Sequence, residues 1–192
     1  FDEINKKMKK QIYMAKTAIS GSYIIDNNIF EDHRGFFYEV WNQKKLNNQL
    51  NENISFVQEN LSSSKKNVLR GLHYQIRKPQ GKLVRVSKGA VYDVIVDLRI
   101  SSPTFKKWFG VKLSSSNRKL LWVPTGCAHG FYVLSTRADL VYKTTEHWFP
   151  EYERCIIWND KDLSINWNVE SKPILSEQDA KGLKLKHAEY FQ

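Results

Sequence analysis

The sequence is poor in the residues that would place it in several large protein classes. Only two cysteines, Cys127 and Cys155, occur in 192 residues. Two cysteines are too few for a disulfide framework, and neither belongs to a Cys-x-x-Cys pair of the zinc-binding kind. No apolar run approaches the roughly 20 residues that cross a bilayer as a helix. These absences argue against a disulfide-stapled secreted module and a helical membrane protein, and we expect a reducing, cytoplasmic location.

Signals of internal subdivision and of targeting are also missing. No repeat, low-complexity segment or Pro/Gly-rich linker divides the chain, and its length suits one domain with a sizeable core. The lysine-rich first 15 residues lack the apolar centre of a secretion signal. We therefore expect residues 1–15 to be an N-terminal arm or an expression remnant, and residues 16–192 to form a single domain.

Acidic residues are outnumbered, because 30 Lys and Arg stand against 20 Asp and Glu and give a formal net charge of +10. A basic surface can bind nucleic acid, an anionic membrane or a phosphorylated small molecule. The lysines are scattered along the chain, and no zinc-finger, KH or RNP1-like motif accompanies them. We interpret most of the excess charge as solvated surface lysine and expect neither a nucleic acid nor a membrane as a partner.

Short strand-like runs are what the sequence has in abundance. Aromatic residues make up 13% of it, and Val, Ile and Thr recur between turn-forming clusters, which is typical of β-rich folds. Strands are predicted at residues 36–41, 54–60, 68–75, 82–86, 91–98, 108–113, 120–123, 130–134 and 139–145. Short helices are predicted near 43–49 and after Ser176, where the sequence has the form of a capping box. The expected fold class is all-β, a jelly-roll sandwich or barrel with a few short peripheral helices.

Polar side chains interrupt some of these strand-like runs and indicate a chemical site. His73 follows Leu69-Arg70-Gly71-Leu72, Lys82 begins another predicted strand, and His129 lies in Gly126-Cys127-Ala128-His129-Gly130. Unpaired polar groups are costly to bury, so the pattern favours a pocket for proton transfer on an anionic substrate. Taken one at a time, an ordinary buried histidine and a surface lysine are the simpler interpretations.

A metal site of the kind found in jelly-roll cupins fits this pattern poorly. Such sites resemble one another in placing a second histidine and a glutamate soon after the first histidine. Here both are missing after His73, and Lys82 would repel a cation. A fixed positive charge beside a neutral histidine base suits proton removal next to a carbonyl instead. We expect no metal and no cofactor.

The segment 91–98 carries two carboxylates among apolar residues. Asp93 and Asp97 share one face of the predicted strand with Ile95, because side chains alternate along a strand. From the pattern alone, an inner face lining a polar cavity and an outer face toward solvent are about equally compatible.

Ordered blocks along most of the chain carry a specific resemblance to a known family. In chain order they are FEDHRGFF (30–37), FVQEN (56–60), LRGLHYQ (69–75), GKLVR (81–85), SSPTF (101–105), VPTGCAHGF (123–131), YKTT (142–145), WND (158–160) and ILSEQD (174–179). With them, residues 16 to about 183 resemble the dTDP-4-dehydrorhamnose 3,5-epimerase family. The resemblance implies a metal-free cupin jelly roll that forms a homodimer by exchanging N-terminal strands. It also implies epimerisation of a nucleotide-linked 4-keto sugar at the carbons flanking the ketone.

The resemblance assigns catalytic roles residue by residue. His73 matches the family's base and Asp179 its carboxylate partner, although by itself Asp179 is more simply a helix-capping acid. Lys82 matches the residue near the ketone oxygen. Tyr142 matches the tyrosine that returns a proton from the opposite face of the sugar.

Further matches concern groups that hold the substrate. Arg34, Gln58, Asn60 and Arg70 match those that hold the nucleotide diphosphate, for which bidentate guanidinium groups are apt. His129 matches a second pocket histidine. Asp93 matches a pocket carboxylate, which favours the inner face for its strand.

Departures from the family pattern leave the substrate open. His147 and Trp148 stand where the family commonly has two tyrosines, one near the nucleotide base and one near the sugar, and His33 replaces an acidic residue. The family's close relatives include enzymes acting on GDP-linked 4-keto heptoses for capsule synthesis. The sequence therefore leaves open whether the base is thymine or guanine, whether the sugar is a hexose or a heptose, and whether C3, C5 or both are inverted. We expect the pathway to be the synthesis of surface-polysaccharide (capsule or lipopolysaccharide) precursors.

Other hypotheses compete with a 3,5-epimerase. A C3-only or C5-only epimerase and a 3,4-ketoisomerase would act on the same sugars, but the retained His73, Asp179 and Tyr142 favour epimerisation over ketone migration. A non-catalytic carbohydrate-binding cupin is a further alternative, because fold alone does not determine function. A cysteine hydrolase built on Cys127 lacks a visible orienting group.

Overall fold

The computed structural model describes residues 13–192, so most of the predicted N-terminal arm lies outside the described residues. Within that range the chain forms thirteen strands, two α-helices and two 3-10 turns. The strands are β1 (Tyr13–Lys16), β2 (Tyr23–Asp26), β3 (Phe30–Asp32), β4 (Gly35–Phe37), β5 (Gln58–Lys65), β6 (Leu69–Gln75), β7 (Lys82–Lys88), β8 (Ala90–Asp97), β9 (Trp108–Ser114), β10 (Leu120–Val123), β11 (Cys127–Val133), β12 (Arg137–Thr144) and β13 (Glu153–Cys155). The helices are α1 (Gln43–Leu50) and α2 (Glu177–Ala180), and the 3-10 turns are Pro150–Tyr152 and Leu185–His187.

Two antiparallel sheets face each other and form the sandwich. The first has the strand order β1-β2-β10-β7-β12-β5, and the second has the order β13-β6-β11-β8-β9. A separate hairpin pairs β3 with β4. Neighbours in each sheet are mostly distant in sequence, as jelly-roll connections require. The all-β jelly roll predicted from the sequence is confirmed.

The apolar side chains of the sandwich form three layers. A central cluster between the sheets includes Val84, Ile95 and Leu140, all of which are fully buried. A second cluster covers the outer face of the five-stranded sheet, where the C-terminal part of the chain packs on it. A third lies around Leu46 of α1 and Trp122, on the outer side of the six-stranded sheet. Both outer faces are therefore covered, and polar side chains at one end of the interior define the site.

Local sequence signals explain both helices. α1 begins after Asn42, whose side chain accepts a hydrogen bond from the backbone N–H of Lys45, and α2 begins after Ser176, which accepts one from Asp179 in the same way. Both are N-cap interactions that satisfy an otherwise unpaired helix donor. The helix start predicted at Ser176 is confirmed as an N-cap, and Asp179 accepts a hydrogen bond from the Ser176 hydroxyl where a capping box would have one from the Ser176 N–H. No helix among residues 13–192 combines the length and the apolar character needed to span a bilayer.

Strand boundaries differ from the prediction in several places. Residues 38–41 and 54–57 are not strands, because Trp41, Ile54 and Phe56 pack in the cluster around α1 instead of in a sheet. Conversely, β11 begins at Cys127, three residues before the predicted start. Gly126 completes the preceding turn with φ +83°, a conformation that glycine adopts without strain, so the strand starts directly after it.

Replacing Leu140 by alanine is expected to lower the free energy of unfolding by about 2–5 kcal/mol, because it opens a cavity in the central cluster. Leu183→Ala, at a side chain 49% exposed, is the control and should change stability by less than about 0.5 kcal/mol. Urea denaturation followed by circular dichroism measures both. Equal losses in the two variants would contradict the layered core.

Candidate active site

The interior of the sandwich changes from apolar to polar toward one end. The side chains there come from strands of both sheets, and the strand registers bring their positions together. The polar residues at these positions are Gln58, Asn60, His73, Gln75, Lys82, Asp93, His129 and Tyr142. Lys82, Asp93 and His129 are buried there, so each of these ionisable side chains needs a partner or a function.

His73 and Asp179 form the first pair. Nε2 of His73 lies 2.7 Å from Oδ1 of Asp179, which comes from α2 and is almost completely buried. The ring N–H is not aligned with the oxygen, so the contact is a close electrostatic one and lacks the geometry of a good hydrogen bond. An ionised carboxylate beside Nε2 favours the tautomer with its proton there, which leaves a lone pair at Nδ1 that can accept a proton.

Asp179 is held in place by the chain on both sides. One oxygen accepts a hydrogen bond from the backbone N–H of Gly71 at 3.0 Å, and the other accepts one from the hydroxyl of Ser176 at 2.7 Å. Burial raises the pKa of the Asp179 carboxyl, but the contacts from His73, Ser176 and Gly71 outweigh it and leave that pKa lowered. The carboxylate therefore stays ionised near neutral pH and can stabilise a protonated His73.

A second histidine–carboxylate pair lies deeper in the pocket. Nε2 of His129 is 2.9 and 3.0 Å from the two carboxylate oxygens of Asp93, and both side chains are buried. His129 stands directly opposite His73 where β11 pairs with β6. Asp93 thus faces inward, which decides between the two faces that the sequence pattern left open.

Lys82 places a buried cation in the same interior. Its side chain is 8% exposed, and burial lowers its pKa to about 8, while the carboxylates of Glu153 and Asp93 act in the opposite direction. Its Nζ lies 5.9 Å from the centre of the Tyr142 ring. At neutral pH the ammonium is charged and can stabilise a developing oxyanion.

Tyr142 faces this cluster from the opposite sheet. Burial and then the charge of Glu153 raise the pKa of its phenol, while Arg70 and a hydrogen bond with Asn60 act against that shift. The phenol therefore keeps its proton at neutral pH, as a general acid must before it reacts. His73 and Tyr142 are presented by different sheets, β6 and β12, whose inner faces point toward each other.

Groups suited to a phosphorylated ligand lie at the mouth of the pocket. Gln58 donates a hydrogen bond to Asn60 at 2.9 Å, and Nε of Arg70 donates one to Ser64 at 3.1 Å. Arg70 is exposed, so its remaining guanidinium donors are accessible to a ligand.

His147 and Trp148, two further residues predicted to bind substrate, lie in the exposed segment after β12. The backbone N–H of Trp148 donates to Gln58 Oε1 at 3.0 Å, which places the segment beside the mouth of the pocket. Arg34 is not brought to this cluster. It lies on the β3–β4 hairpin, pairs with Asp32 and is 75% exposed in its side chain.

The sequence analysis assigned no role to Gln75, which the structure connects to the site. Its side chain is buried, and its amide forms hydrogen bonds with two loops. Nε2 donates to the carbonyls of Lys78 and His147, at 2.6 and 3.2 Å. Oε1 accepts a hydrogen bond from the N–H of Phe149 at 2.8 Å. It thereby fixes the segment that carries Trp148. The available signal was strand periodicity, because Gln75 is two residues beyond His73 and shares its face.

β13 was not predicted either, and it supplies two side chains next to the site. Glu153 stands opposite Gln75 and Cys155 opposite His73 in the β13–β6 ladder. Among residues 13–192, one group of metal-type ligands is close together, with the ligand atoms of His73, Cys155 and Asp179 within 4.8 Å of one another. The three residues between two turns carried no pattern long enough to predict a strand.

The fold and the pocket together define a class of protein. The jelly roll is of the cupin type, and the two histidine–carboxylate pairs, the buried lysine and the phenol in its interior are groups that can carry out acid–base chemistry. A family model described as dTDP-4-dehydrorhamnose 3,5-epimerase matches residues 16–187. The chain belongs to the dTDP-4-dehydrorhamnose 3,5-epimerase family and is an isomerase.

Individual relatives are similar over almost their whole length. The dTDP-4-dehydrorhamnose 3,5-epimerase of Pseudomonas aeruginosa is 49% identical over 176 residues, which are 92% of this chain and 97% of the relative. The crystal structure of the Elizabethkingia anophelis enzyme of that name superposes with a TM-score of 0.91 at 44% identity, covering 94% of this chain and 100% of the other. A Legionella pneumophila dTDP-6-deoxy-D-glucose-3,5-epimerase, solved with dTDP-4-keto-L-rhamnose, gives 0.90 at 45% identity, covering 93% and 95%.

Gln75→Met is expected to raise KM about tenfold and to change kcat by less than about twofold. The substitution removes hydrogen bonds that order the segment carrying His147 and Trp148, each worth about 1 kcal/mol net, but leaves His73 in place. Steady-state kinetics separates the two constants. Tyr132→Phe is the control, because it deletes a buried hydroxyl contact to Asn67 on the outer face of β11. If Gln75 has only a structural role, Gln75→Met will change KM as little as Tyr132→Phe does, which would contradict the prediction.

The rate of epimerisation should fall above pH 8, because Lys82 then loses its proton. Burial places its pKa at about 8, so the charged form predominates below that pH and disappears above it. We expect kcat/KM to drop about tenfold per pH unit on this side. Lys82→Arg should move the drop to higher pH, since guanidinium keeps its charge. Lys112→Arg on the surface should leave it in place. An unchanged profile in Lys82→Arg would refute the assignment.

Proposed function

We propose that this protein inverts C3 and C5 of a dTDP-linked 4-keto-6-deoxyhexose, in the synthesis of the activated rhamnose precursor. The observation that carries the proposal is the placement of His73, paired with Asp179, on one sheet and protonated Tyr142 on the sheet that faces it. Inversion of a carbon needs a base on one side of the sugar and an acid on the other. The relatives named for this reaction support the choice of substrate.

Proton removal is the first step of the proposed mechanism. The ketone at C4 acidifies the hydrogens at C3 and C5, and His73 accepts one of them at Nδ1. Asp179 stabilises the resulting imidazolium through its 2.7 Å contact with Nε2. The C–H electron pair moves into an enolate whose oxygen, the former ketone oxygen, carries the negative charge. Lys82 stabilises that oxygen at the moment when the charge develops.

Proton return completes the inversion. Tyr142 donates its phenolic proton to the same carbon from the opposite face, and the ketone re-forms. The raised pKa of the phenol keeps this proton available, and the nearby Lys82 charge stabilises the phenolate that remains. Once His73 has released its proton to solvent and Tyr142 has regained one, the same base and acid can invert the second carbon, because both carbons flank the same ketone. His129 and Asp93 are proposed to hold the sugar deeper in the pocket.

The nucleotide diphosphate is proposed to bind at the mouth of the pocket. Arg70 supports this role with its exposed guanidinium, and Gln58 and Asn60 with their side-chain amides on the inner face of β5. For Arg34 the support is its match to the family motif, since its guanidinium pairs with Asp32.

His147 and Trp148 are proposed to contact the base and the sugar. Trp148 is 53% exposed and lies next to Gln58, so its indole is free to stack on a nucleobase. Because these two residues differ from the usual tyrosines, a GDP-linked 4-keto heptose is the alternative substrate to test. We propose that the product is used in capsule or lipopolysaccharide synthesis.

We further propose a cytoplasmic homodimer that exchanges N-terminal strands, with residues 16–192 as one domain. β1 lies at the edge of the six-stranded sheet, where unpaired backbone groups invite another strand. Exposed aromatic side chains near the same part of the chain support an interface; Tyr13, Phe36 and Phe37 are each more than half exposed. Two unpaired cysteines fit a reducing compartment.

Incubation with dTDP-4-keto-6-deoxyglucose in deuterated water should place deuterium at C3 and C5, detected by NMR. Each enolate protonated by solvent-derived hydrogen takes up the label, so the spectrum reports which carbons react. A GDP-linked 4-keto heptose tested in parallel determines the nucleotide and the sugar. Label at C3 alone would restrict the activity to one carbon, and no exchange in either substrate would refute the enzymatic proposal.

Variants of the base and the acid sharpen the same experiment. His73→Asn should lower exchange at both carbons by at least about a hundredfold, because the general base is lost. Tyr142→Phe should retain exchange but slow inversion. Tyr132→Phe, which removes a phenol on the outer face of the sheet, should do neither. If the protein only binds its ligand, His73→Asn should lower the ligand affinity by no more than the loss of one contact.

A further inference from the structure

Cys155 lies beside the proposed base, and the mechanism does not use it. It stands directly opposite His73 in the β13–β6 ladder and is partly buried. The ligand atoms of Cys155, His73 and Asp179 lie within 4.8 Å of one another. Within residues 13–192, the one hydrogen bond of the sulfur is a long one, 3.6 Å, to the carbonyl of Ile156. A weakly engaged sulfur thus sits next to a carboxylate and an imidazole.

His73 presents a buried nitrogen to the same point. Nε2 is inaccessible to solvent and has no aligned hydrogen bond among the described residues, although Asp179 Oδ1 is 2.7 Å away. Its neighbour is Asp179, the carboxylate that the proposed mechanism also uses, so an ion at this point would replace the Nε2 proton between the two side chains. The ring face toward the pocket is partly open, with the His73 side chain 28% exposed.

Sulfur, imidazole nitrogen and carboxylate oxygen are the three ligand types that zinc uses in proteins. Sites with three protein ligands leave a fourth position to water or substrate. Bonds of about 2.0–2.3 Å at tetrahedral angles separate neighbouring ligand atoms by about 3.3–3.6 Å. The three side chains therefore need to move by about an ångström to surround one ion.

We propose that His73, Cys155 and Asp179 form a binding site for a thiophilic divalent cation, Zn²⁺ being the model ion, and that occupation of this site inhibits the enzyme. The inhibitory part rests on the proposed role of His73 as the base. Nothing in this proposal makes the ion part of the reaction. It binds behind the imidazole, on the side away from the sugar.

Proton accounting shows why such an ion inhibits. A bond from Cys155 sulfur to the ion replaces its S–H bond, and that proton is released to solvent. A bond from Nε2 of His73 replaces the Nε2–H bond, and this proton moves to Nδ1 of the same ring. The imidazole then has no lone pair at Nδ1 to accept a proton from the sugar. No electron transfer is involved.

Charge and ligand softness set the selectivity of the proposed site. The thiolate of Cys155 and the carboxylate of Asp179 neutralise a divalent ion, and Glu153 adds a further negative charge nearby. Lys82, the cation that counted against a cupin metal site, is not one of the ligands. A thiolate ligand favours Zn²⁺ and Co²⁺ over Mg²⁺ and Ca²⁺, which prefer oxygen.

Cobalt absorption tests the site without any substrate. Chelator-treated full-length protein titrated with Co²⁺ should develop a thiolate-to-cobalt charge-transfer band in the near ultraviolet, saturating at one ion per chain and abolished by excess Zn²⁺. Cys155→Ala and Cys155→Ser should lack the band. Cys127→Ala is the matched control and should keep it, because Cys127 lies in the central cluster. No band in the wild type, or an equal band in the Cys155 variants, overturns the site.

Zinc inhibition tests the consequence. Zn²⁺ should inhibit epimerisation reversibly, with recovery on adding chelator, and Mg²⁺ at the same concentration should not. The Zn²⁺ concentration for half-inhibition, measured against each variant's own uninhibited rate, should rise at least about tenfold in Cys155→Ser. It should be unchanged in Cys127→Ala. A cobalt band without zinc inhibition would overturn the inhibitory part and count against His73 as the base, whereas a missing band leaves the epimerase proposal untouched.

Discussion

The contact between Asp179 and His73 is the interaction on which the rest of the site depends. The two residues are far apart in sequence, and three separate features hold the carboxylate: the cap at Ser176, the N–H of Gly71 and the burial of α2 against β6. An ionised acid in such a position costs free energy unless every lone pair has a donor. Here that cost is offset by hydrogen bonds, and the carboxylate beside Nε2 favours the His73 tautomer that carries its proton there.

The sandwich turns this pair into a chemical site by placing a different set of groups on the facing sheet. Lys82 and Tyr142 belong to β7 and β12, in the sheet that faces the one carrying His73, so a cation and a phenol lie across the interior from the imidazole. Strand alternation separates these groups from the apolar clusters on either side. The strand pairing also places Cys155 directly opposite His73, so a strand of three residues brings a sulfur close to the imidazole.

Most strands and the cap of α2 were predictable because their signals are local. A buried strand needs a run of apolar side chains, and a helix start needs an acceptor for its free N–H groups, so residues 120–123 and Ser176 carried enough information. The strand predictions at residues 38–41 and 54–57 were wrong, because the spacing of apolar residues does not determine which surface they pack on. These segments pack around α1 and not in a sheet. Gln75 was missed although strand periodicity places it on the face of His73, because its loop partners are distant in sequence. β13 was missed because three residues are too few to show a period.

The sequence by itself determined the all-β class, the N-cap at Ser176 and the residue types available for chemistry, since these follow from short-range periodicity and from the residues printed in each motif. Only the tertiary structure decided that Asp93 faces inward, that Asp179 reaches His73, and that Glu153 and Cys155 join them. Each of these depends on pairings between strands and segments far apart along the chain. Such pairings are selected by the burial of the whole core, which no single segment encodes.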